Sequence, residues 1–255
     1  MRPILQVHNL TVSYNSGHAL EGISFSVQTG ERVAVVGPNG AGKSTLFRAL
    51  VGLIHPKGGS VQTDNAELAY VTQRSAVDWS FPVTVHDVVM MGRIGKIGWL
   101  RPQRALDRQI ARRSLAQVGM TAYSNRQIGE LSGGQQQRVF IARALAQEAT
   151  ILLMDEPFSG VDTPSQQAVL EIMDHLREQN VTVLVSTHDL NLAVNHFDKL
   201  ALLNKQLVAY GAPHQTITSQ TLAAAYGGQA VWRGEDYALV LGDIDCCGEG
   251  EHHYD

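Results

Sequence analysis

Apolar and polar residues alternate along 4–14 and 22–27, the period of half-buried strands. The segment 31–36 ends in an unbroken apolar run, Val33-Ala34-Val35-Val36, which reads as a buried strand. After it, Leu46, Phe47, Ala49, Leu50 and Leu53 recur at helical spacing and predict a helix over 43–53, ending near Gly58-Gly59. Residues 68–72 read as another short strand. From Pro82 to about 149 the pattern is helical, most clearly over 107–118 and 133–147. Ser132 stands at the N-cap of the second of these, with Gln135 at the capping-box position. Strands return at 151–154, 181–186, 200–203 and 207–210, with helices over 166–179 and 189–195. Strands alternating with helices predict an α/β protein with a mostly parallel sheet. The block about 82–149 is expected to be a helical lobe inserted into a single domain of residues 1–242, without internal repeats or a long linker.

Composition narrows the class. The chain has 255 residues, 44% of them hydrophobic, which suits one large core. No stretch approaches the roughly 18 to 20 uninterrupted apolar residues of a membrane span. The amino-terminal residues alternate like a strand and carry neither a long apolar core nor a cleavage site, so a cytosolic protein is expected. If it works at a membrane, another chain supplies the spans.

Charge is unevenly distributed. Net charge is −4, but seven carboxylates and no Lys or Arg follow Arg233; without them 20 bases face 17 acids, a balance of +3. A near-neutral body argues against nucleic acid held on a broad basic face. The two cysteines, Cys246 and Cys247, are adjacent, so no disulfide framework staples the core. They fall in an acidic tail, 243–255, that also holds His252 and His253. Two readings stay open for it: a mobile acidic segment, or a metal-sensing one built on Cys and His ligands.

The chemistry begins at Gly37-Pro38-Asn39-Gly40-Ala41-Gly42-Lys43-Ser44-Thr45, which fits GxxxxGK[ST] between a strand and a helix. Its glycines let the backbone wrap a polyphosphate closely, and the following helix adds its positive end. Lys43 would neutralise phosphate charge, and Ser44 would place its hydroxyl on Mg²⁺. A second feature is the apolar strand 151–154, which runs into Asp155-Glu156. Because strand side chains alternate in direction, the two carboxylates are expected to diverge. Asp155 is assigned to the Mg²⁺ shell, and Glu156 to the γ-phosphate and the attacking water.

The third feature is Leu131-Ser132-Gly133-Gly134-Gln135-Gln136-Gln137-Arg138. It lacks a lysine and a preceding strand, so it is not a second phosphate loop. Yet it opens a helix whose first turn presents backbone donors and a hydroxyl to an anion. One such half-cradle per subunit would sandwich a nucleotide between two copies of the chain.

On these motifs the chain, from Leu5 to about Gly211, resembles the ATP-binding cassette (ABC) ATPases. The resemblance implies a P-loop NTPase core with a mostly parallel sheet, an N-terminal antiparallel β subdomain and an inserted α-helical subdomain. It implies that Tyr14 stacks on adenine. Gln73, in Tyr70-Val71-Thr72-Gln73, would touch Mg²⁺ and water and link core to helical lobe. Ser132, Gly133, Gly134 and Gln135 would complete the site of the opposite subunit in a head-to-tail homodimer. Residues 159–162 stand where the D-loop stands, reading Ser-Gly-Val-Asp against the commoner Ser-Ala-Leu-Asp. His188 would contact the γ-phosphate. The implied activity is hydrolysis of ATP with Mg²⁺.

A single cassette without spans is similar to subunits that pair with integral membrane permeases, with an extracytoplasmic substrate-binding protein in the same system. Such a subunit would sit peripherally on the cytoplasmic side of the membrane. Residues 73–102 carry Trp79, Phe81, Met90, Met91, Ile94, Ile97, Trp99 and Leu100, either as the permease-facing surface or as filling of the lobe itself. The wording of this stretch resembles the ATPases of manganese, zinc and iron importers. Alternatives are an importer ATPase for another cargo, such as iron chelates, or a soluble non-transport ABC ATPase. Translation ATPases usually carry two cassettes, and chromosome ATPases insert long coiled coils, neither of which is present. A guanine reader of the NKxD type is also missing, and Glu156 with His188 argues against a non-catalytic module.

Overall fold

The computed structural model describes residues 3–14, 17–73, 81–98, 101–227, 230–233 and 238–241. Three strands, β1 (Leu5–Tyr14), β2 (Gly17–Val27) and β4 (Gly58–Thr63), form an antiparallel sheet in the order β2-β1-β4. The main sheet holds six strands in the order β5-β6-β7-β3-β8-β9. These are β3 (Arg32–Val36), β5 (Leu68–Val71), β6 (Ile151–Asp155), β7 (Thr182–Thr187), β8 (Lys199–Asn204) and β9 (Gln206–Gly211). All neighbours pair in parallel except β8 and β9, which turn back on each other. A hairpin of β10 (Ala230–Arg233) and β11 (Ala238–Leu241) follows.

Each central strand is buried on both sides, and its alternate residues serve two different cores. Val33, Val35, Ile151, Leu153, Leu184, Ala201 and Leu203 face the antiparallel sheet and helix α1 (Lys43–Leu50). Ala34, Val36, Leu152, Met154, Val183, Val185, Leu200 and Leu202 face the other helices. Leu46 and Phe47 of α1 are fully buried between the two sheets. The helix stops at Leu50 rather than continuing to Leu53. Gly52 takes φ +75°, and the amides of Gly52 and Leu53 close a Schellman motif on Ala49 O and Arg48 O. Leu53 is left 67% exposed.

Between β5 and β6 the described chain is helical: α2 (Val85–Met91), α3 (Ile94–Ile97), α4 (Ala105–Gln117) and α5 (Gly133–Leu145). Apolar residues of α2, α4 and α5 join the helix-side core. Arg93, 4% exposed, ties the lobe together. Its Nε donates to Asp107 Oδ1 at 3.2 Å, and its Nη1 to Ala146 O at 2.7 Å and Glu148 Oε2 at 2.6 Å. Thr84 caps α2 through a capping box with Asp87.

Helices α6 (Thr163–Glu178) and α7 (Leu190–His196) return the chain to the main sheet. The short α8 (Pro213–Thr216) and α9 (Ser219–Tyr226) pack near its β8–β9 edge. Neither α8, α9 nor the β10–β11 hairpin was expected from the pattern. Nor was β4, whose Gly-Gly-Ser opening carries no apolar alternation. Strand β2 starts at Gly17, five residues earlier than the alternation suggests, because Gly17 and His18 pair with Tyr14 and Ser13. No described helix is long and apolar enough to cross a membrane. The tail 243–255 and its Cys246, Cys247, His252 and His253 lie outside the described residues.

Candidate nucleotide site

Strand register brings the candidate residues to one edge. Val36 is aligned with Thr187, Asp155 with Ser186, and Val71 with Met154. The phosphate loop, Asp155-Glu156, Gln73 and His188 therefore all leave the carboxyl ends of neighbouring strands. Ligands of open α/β sheets bind at such an edge.

The loop is shaped by close approaches. A Cβ on Gly37 would lie 2.0 Å from Leu203 O, and one on Gly42, at φ +97°, would lie 2.7 Å from Ala19 O and 2.6 Å from Leu20 Cδ2. Neither position admits a side chain. Asn39 and Gly40 form the exposed tip. Backbone bonds fasten the loop from behind: Lys205 N donates to Ala41 O at 2.9 Å, and Glu21 N to Lys205 O at 2.8 Å. Ser44 and Thr45 occupy the first turn of α1. Lys43 is 6% exposed and folds back on its own loop, donating to Gly37 O at 2.7 Å and Pro38 O at 3.0 Å. Burial lowers its pKa, and the nearby Glu156 and Asp155 carboxylates partly restore it.

Asp155 ends β6, 3% exposed, and accepts hydrogen bonds from Ser186 Oγ and, at 3.0 Å, from Tyr70 OH. Burial and the Asp155 carboxylate push the Tyr70 phenol up to about 12. Glu156 lies beyond the strand at φ +48°, in the left-handed region. Strand alternation, from which the two carboxylates are expected to diverge, therefore does not reach Glu156. Such a conformation costs a non-glycine residue roughly 1–2 kcal/mol. The turn is held by Glu156 N donating to Ser186 Oγ at 2.9 Å. Gln73 Nε2 donates to Glu156 Oε2 at 3.1 Å. Ser186 and Tyr70 were missed as site residues. The available signal was a hydroxyl at the polar end of each apolar strand beside the acidic one.

Tyr14 ends β1 and is 47% exposed. His188, in the turn between β7 and α7, is exposed. Ser132 caps α5 as the spacing predicts: its Oγ accepts from Gln135 N at 3.4 Å, and its N donates to Gln135 Oε1 at 3.0 Å. Among the described residues no hydrogen bond joins Ser132–Gln135 to the phosphate loop of the same chain. The donor set of Ser44, Asp155 and Gln73 is all oxygen, with the Gln73 amide nitrogen already engaged by Glu156, so its chemistry fits Mg²⁺.

Comparison with known proteins decides the family. The pattern of the family described as ABC transporter matches residues 20–159. The chain belongs to the ABC transporter family. It is an ATP-binding, ATP-hydrolysing subunit of such a transporter. The manganese transport system ATP-binding protein MntB of Halalkalibacterium halodurans is 44% identical over 94% of this chain and 99% of its own length. The zinc transport system ATP-binding protein TroB of Treponema pallidum is also 44% identical, over 88% of this chain and 87% of its own. The chelated iron transport system protein YfeB of Yersinia pestis is 46% identical over 89% of this chain and 80% of its own. Among solved structures, an inward-facing transporter assigned to the metal-chelate ABC type superposes with a TM-score of 0.83. It is 32% identical over 94% of this chain and 98% of its own. The ATP-binding cassette MJ0796, solved as a dimer with ADP and Pi, superposes at 0.71, with 27% identity over 82% of this chain and 98% of its own.

Proposed function

We propose that this chain drives import of a divalent metal ion, manganese, zinc or iron, by hydrolysing ATP at the cytoplasmic face of a membrane. It acts as a head-to-tail homodimer bound peripherally to integral membrane permease subunits, with an extracytoplasmic substrate-binding protein delivering the cargo and no nucleic acid involved. Residues 1–242 are taken as one ATPase domain with its helical lobe over about 82–149. The names of the manganese, zinc and chelated-iron relatives support the cargo class.

One observation carries the catalytic reading: Gln73 bonded to Glu156 beside buried Asp155, at the strand edge that also carries the phosphate loop. Gly37 to Thr45 wrap the β- and γ-phosphates with backbone N–H groups, and Lys43 exchanges its two loop carbonyls for phosphate oxygens. Tyr14 stacks on adenine. Ser44, Asp155 and Gln73 would hold Mg²⁺, which when bound would supply charge neutralisation on the phosphates. Glu156, aimed by its left-handed turn, orients the attacking water and takes its proton, while His188 contacts the γ-phosphate. Ser132, Gly133, Gly134 and Gln135 of the second copy close the site from the other side. Once the γ-phosphate is released, the two halves share no bridging anion and separate.

Phe81, Met91 and Ile94 are exposed on the helical lobe at 63%, 42% and 47%, and they support a permease-facing apolar surface. Met90 is buried, and Ile97 packs on the lobe core, so these two belong to the lobe itself. Trp79, Trp99 and Leu100 lie outside the described residues.

The test is Glu156→Gln. ATP affinity should persist while turnover falls by about 10²-fold or more, the usual contribution of a general base; normal turnover would refute the assignment. Uptake of manganese, zinc and a ferric chelate, measured in cells lacking this chain and in cells complemented with it, separates the bare ion from the chelate that the YfeB name favours.

A further inference from the structure

Gly134, the second signature glycine, is in the first turn of α5, and its surroundings explain why it has no side chain. A Cβ built there would lie 2.0 Å from Ser165 Oγ and 2.3 Å from Ser165 Cβ. A hydroxyl can rotate aside, but the Ser165 Cβ is fixed to the first turn of α6. The signature turn therefore rests directly on α6, with no room for a methyl group.

Ser165 also faces the other way along the chain. It stands three residues after Asp162, the N-cap of α6, and its proximity holds that exposed carboxyl below the usual range. Asp162 O in turn accepts from Gln166 N at 2.9 Å. The segment just before it is the turn of Glu156, whose carbonyl accepts from Ser159 N at 3.2 Å. Ser165 thus joins the signature turn to the start of α6, just beyond the segment that carries Glu156.

We propose that Ser165 is a positioning residue: its side chain seats the signature turn against the start of α6 in the same chain and so fixes the direction in which that turn presents its donors. The proposal rests on the head-to-tail dimer reading. In that dimer the signature serves one ATP and the Glu156 segment serves the other. The seat would therefore set the angle at which one chain offers its signature donors to the nucleotide of its partner. Orientation at this level matters, since misplacement of about 1 Å costs on the order of 10²-fold in rate.

The experiment uses the full chain carrying Glu156→Gln, with ATP-driven dimerisation measured by sedimentation and nucleotide affinity of the monomer measured by titration. Gly134→Ala should weaken dimerisation about tenfold or more, the effect of an overpacked contact, with monomer affinity unchanged because the phosphate loop lies in the other half of the site. Gly134→Ala combined with Ser165→Gly should recover most of the loss, because removing the Ser165 side chain vacates the space that the new methyl group needs. Ser165→Val, adding bulk from the opposite side, should weaken dimerisation as Gly134→Ala does. In the chain with native Glu156, these losses should appear in kcat rather than in monomer nucleotide affinity, and the double variant should regain turnover. Full dimerisation of Gly134→Ala or of Ser165→Val would overturn the proposal. So would a double variant that binds nucleotide normally as a monomer yet stays as defective as Gly134→Ala. If the parent carrying Glu156→Gln alone failed to dimerise with ATP, the sandwich reading would fall and this proposal with it.

Discussion

Lys43 is a cation where water hardly reaches, and its depressed pKa shows that burial outweighs the pull of Asp155 and Glu156. The nucleotide-free protein thus holds it at a cost, which a phosphate would offset. Lys43→Met should abolish ATP-induced stabilisation, yet leave the nucleotide-free protein as stable or more stable by roughly 1 kcal/mol, as for other buried charges replaced by apolar isosteres. The sign with pH follows from the lowered pKa. Between the folded value and the ordinary 10.5, the unfolded chain binds more protons, so native stability should rise with pH relative to Lys43→Met. Thermal melts of both proteins across that alkaline window check it; a marked fall in melting temperature for the variant would contradict the burial argument. At this scale the motif residues were legible because their spacing is constrained by chemistry. Ser186 was not, because a serine ending an apolar strand looks ordinary until register places it between Asp155 and Glu156. The left-handed turn at Glu156 was equally silent, since no glycine announces it.

Among the elements, the capped and strongly periodic ones were readable from sequence. Helix α5 starts where Ser132 and Gln135 place it, and the central strands fall on the apolar runs. Strand β4 was invisible because its stability comes from pairing with β1 across the sheet, not from its own Gly-Gly-Ser-Val-Gln-Thr pattern. The helical lobe depends on a second non-local feature, the buried Arg93. Arg93→Leu strands Asp107, itself only 4% exposed, without its cation, and should cost about 3–5 kcal/mol. Adding Asp107→Asn, which removes the orphaned charge and keeps an oxygen for the Arg104 amide, should recover a large part of that loss. Denaturant unfolding of the two variants tests this, and a single variant as stable as the parent would show that the ion pair does not brace the lobe.

For the whole molecule, the decisive property is that the described chain displays a phosphate cradle and a signature turn with no hydrogen bond between them. A mixed dimer of Ser132→Arg and Lys43→Ala subunits concentrates both defects in one composite site and leaves the other intact. It should retain about half the activity of the native dimer, whereas each variant alone should be inactive. Two working sites in the mixture, seen as full activity, would exclude composite assembly. The signature was legible in the sequence as a half-cradle without a lysine; that the antiparallel sheet helps to hold the loop was not, because Ala19, Leu20 and Glu21 carry no motif.

The fastening of the loop by Lys205, Glu21 and Leu203 has a kinetic corollary. A receptor already stitched to two sheets has little left to organise when a polyphosphate arrives. Encounter should therefore be governed by diffusion and charge, and amide hydrogen exchange at Lys205 and Glu21, whose N–H groups fasten the loop from behind, should be slow before nucleotide is added as well as after.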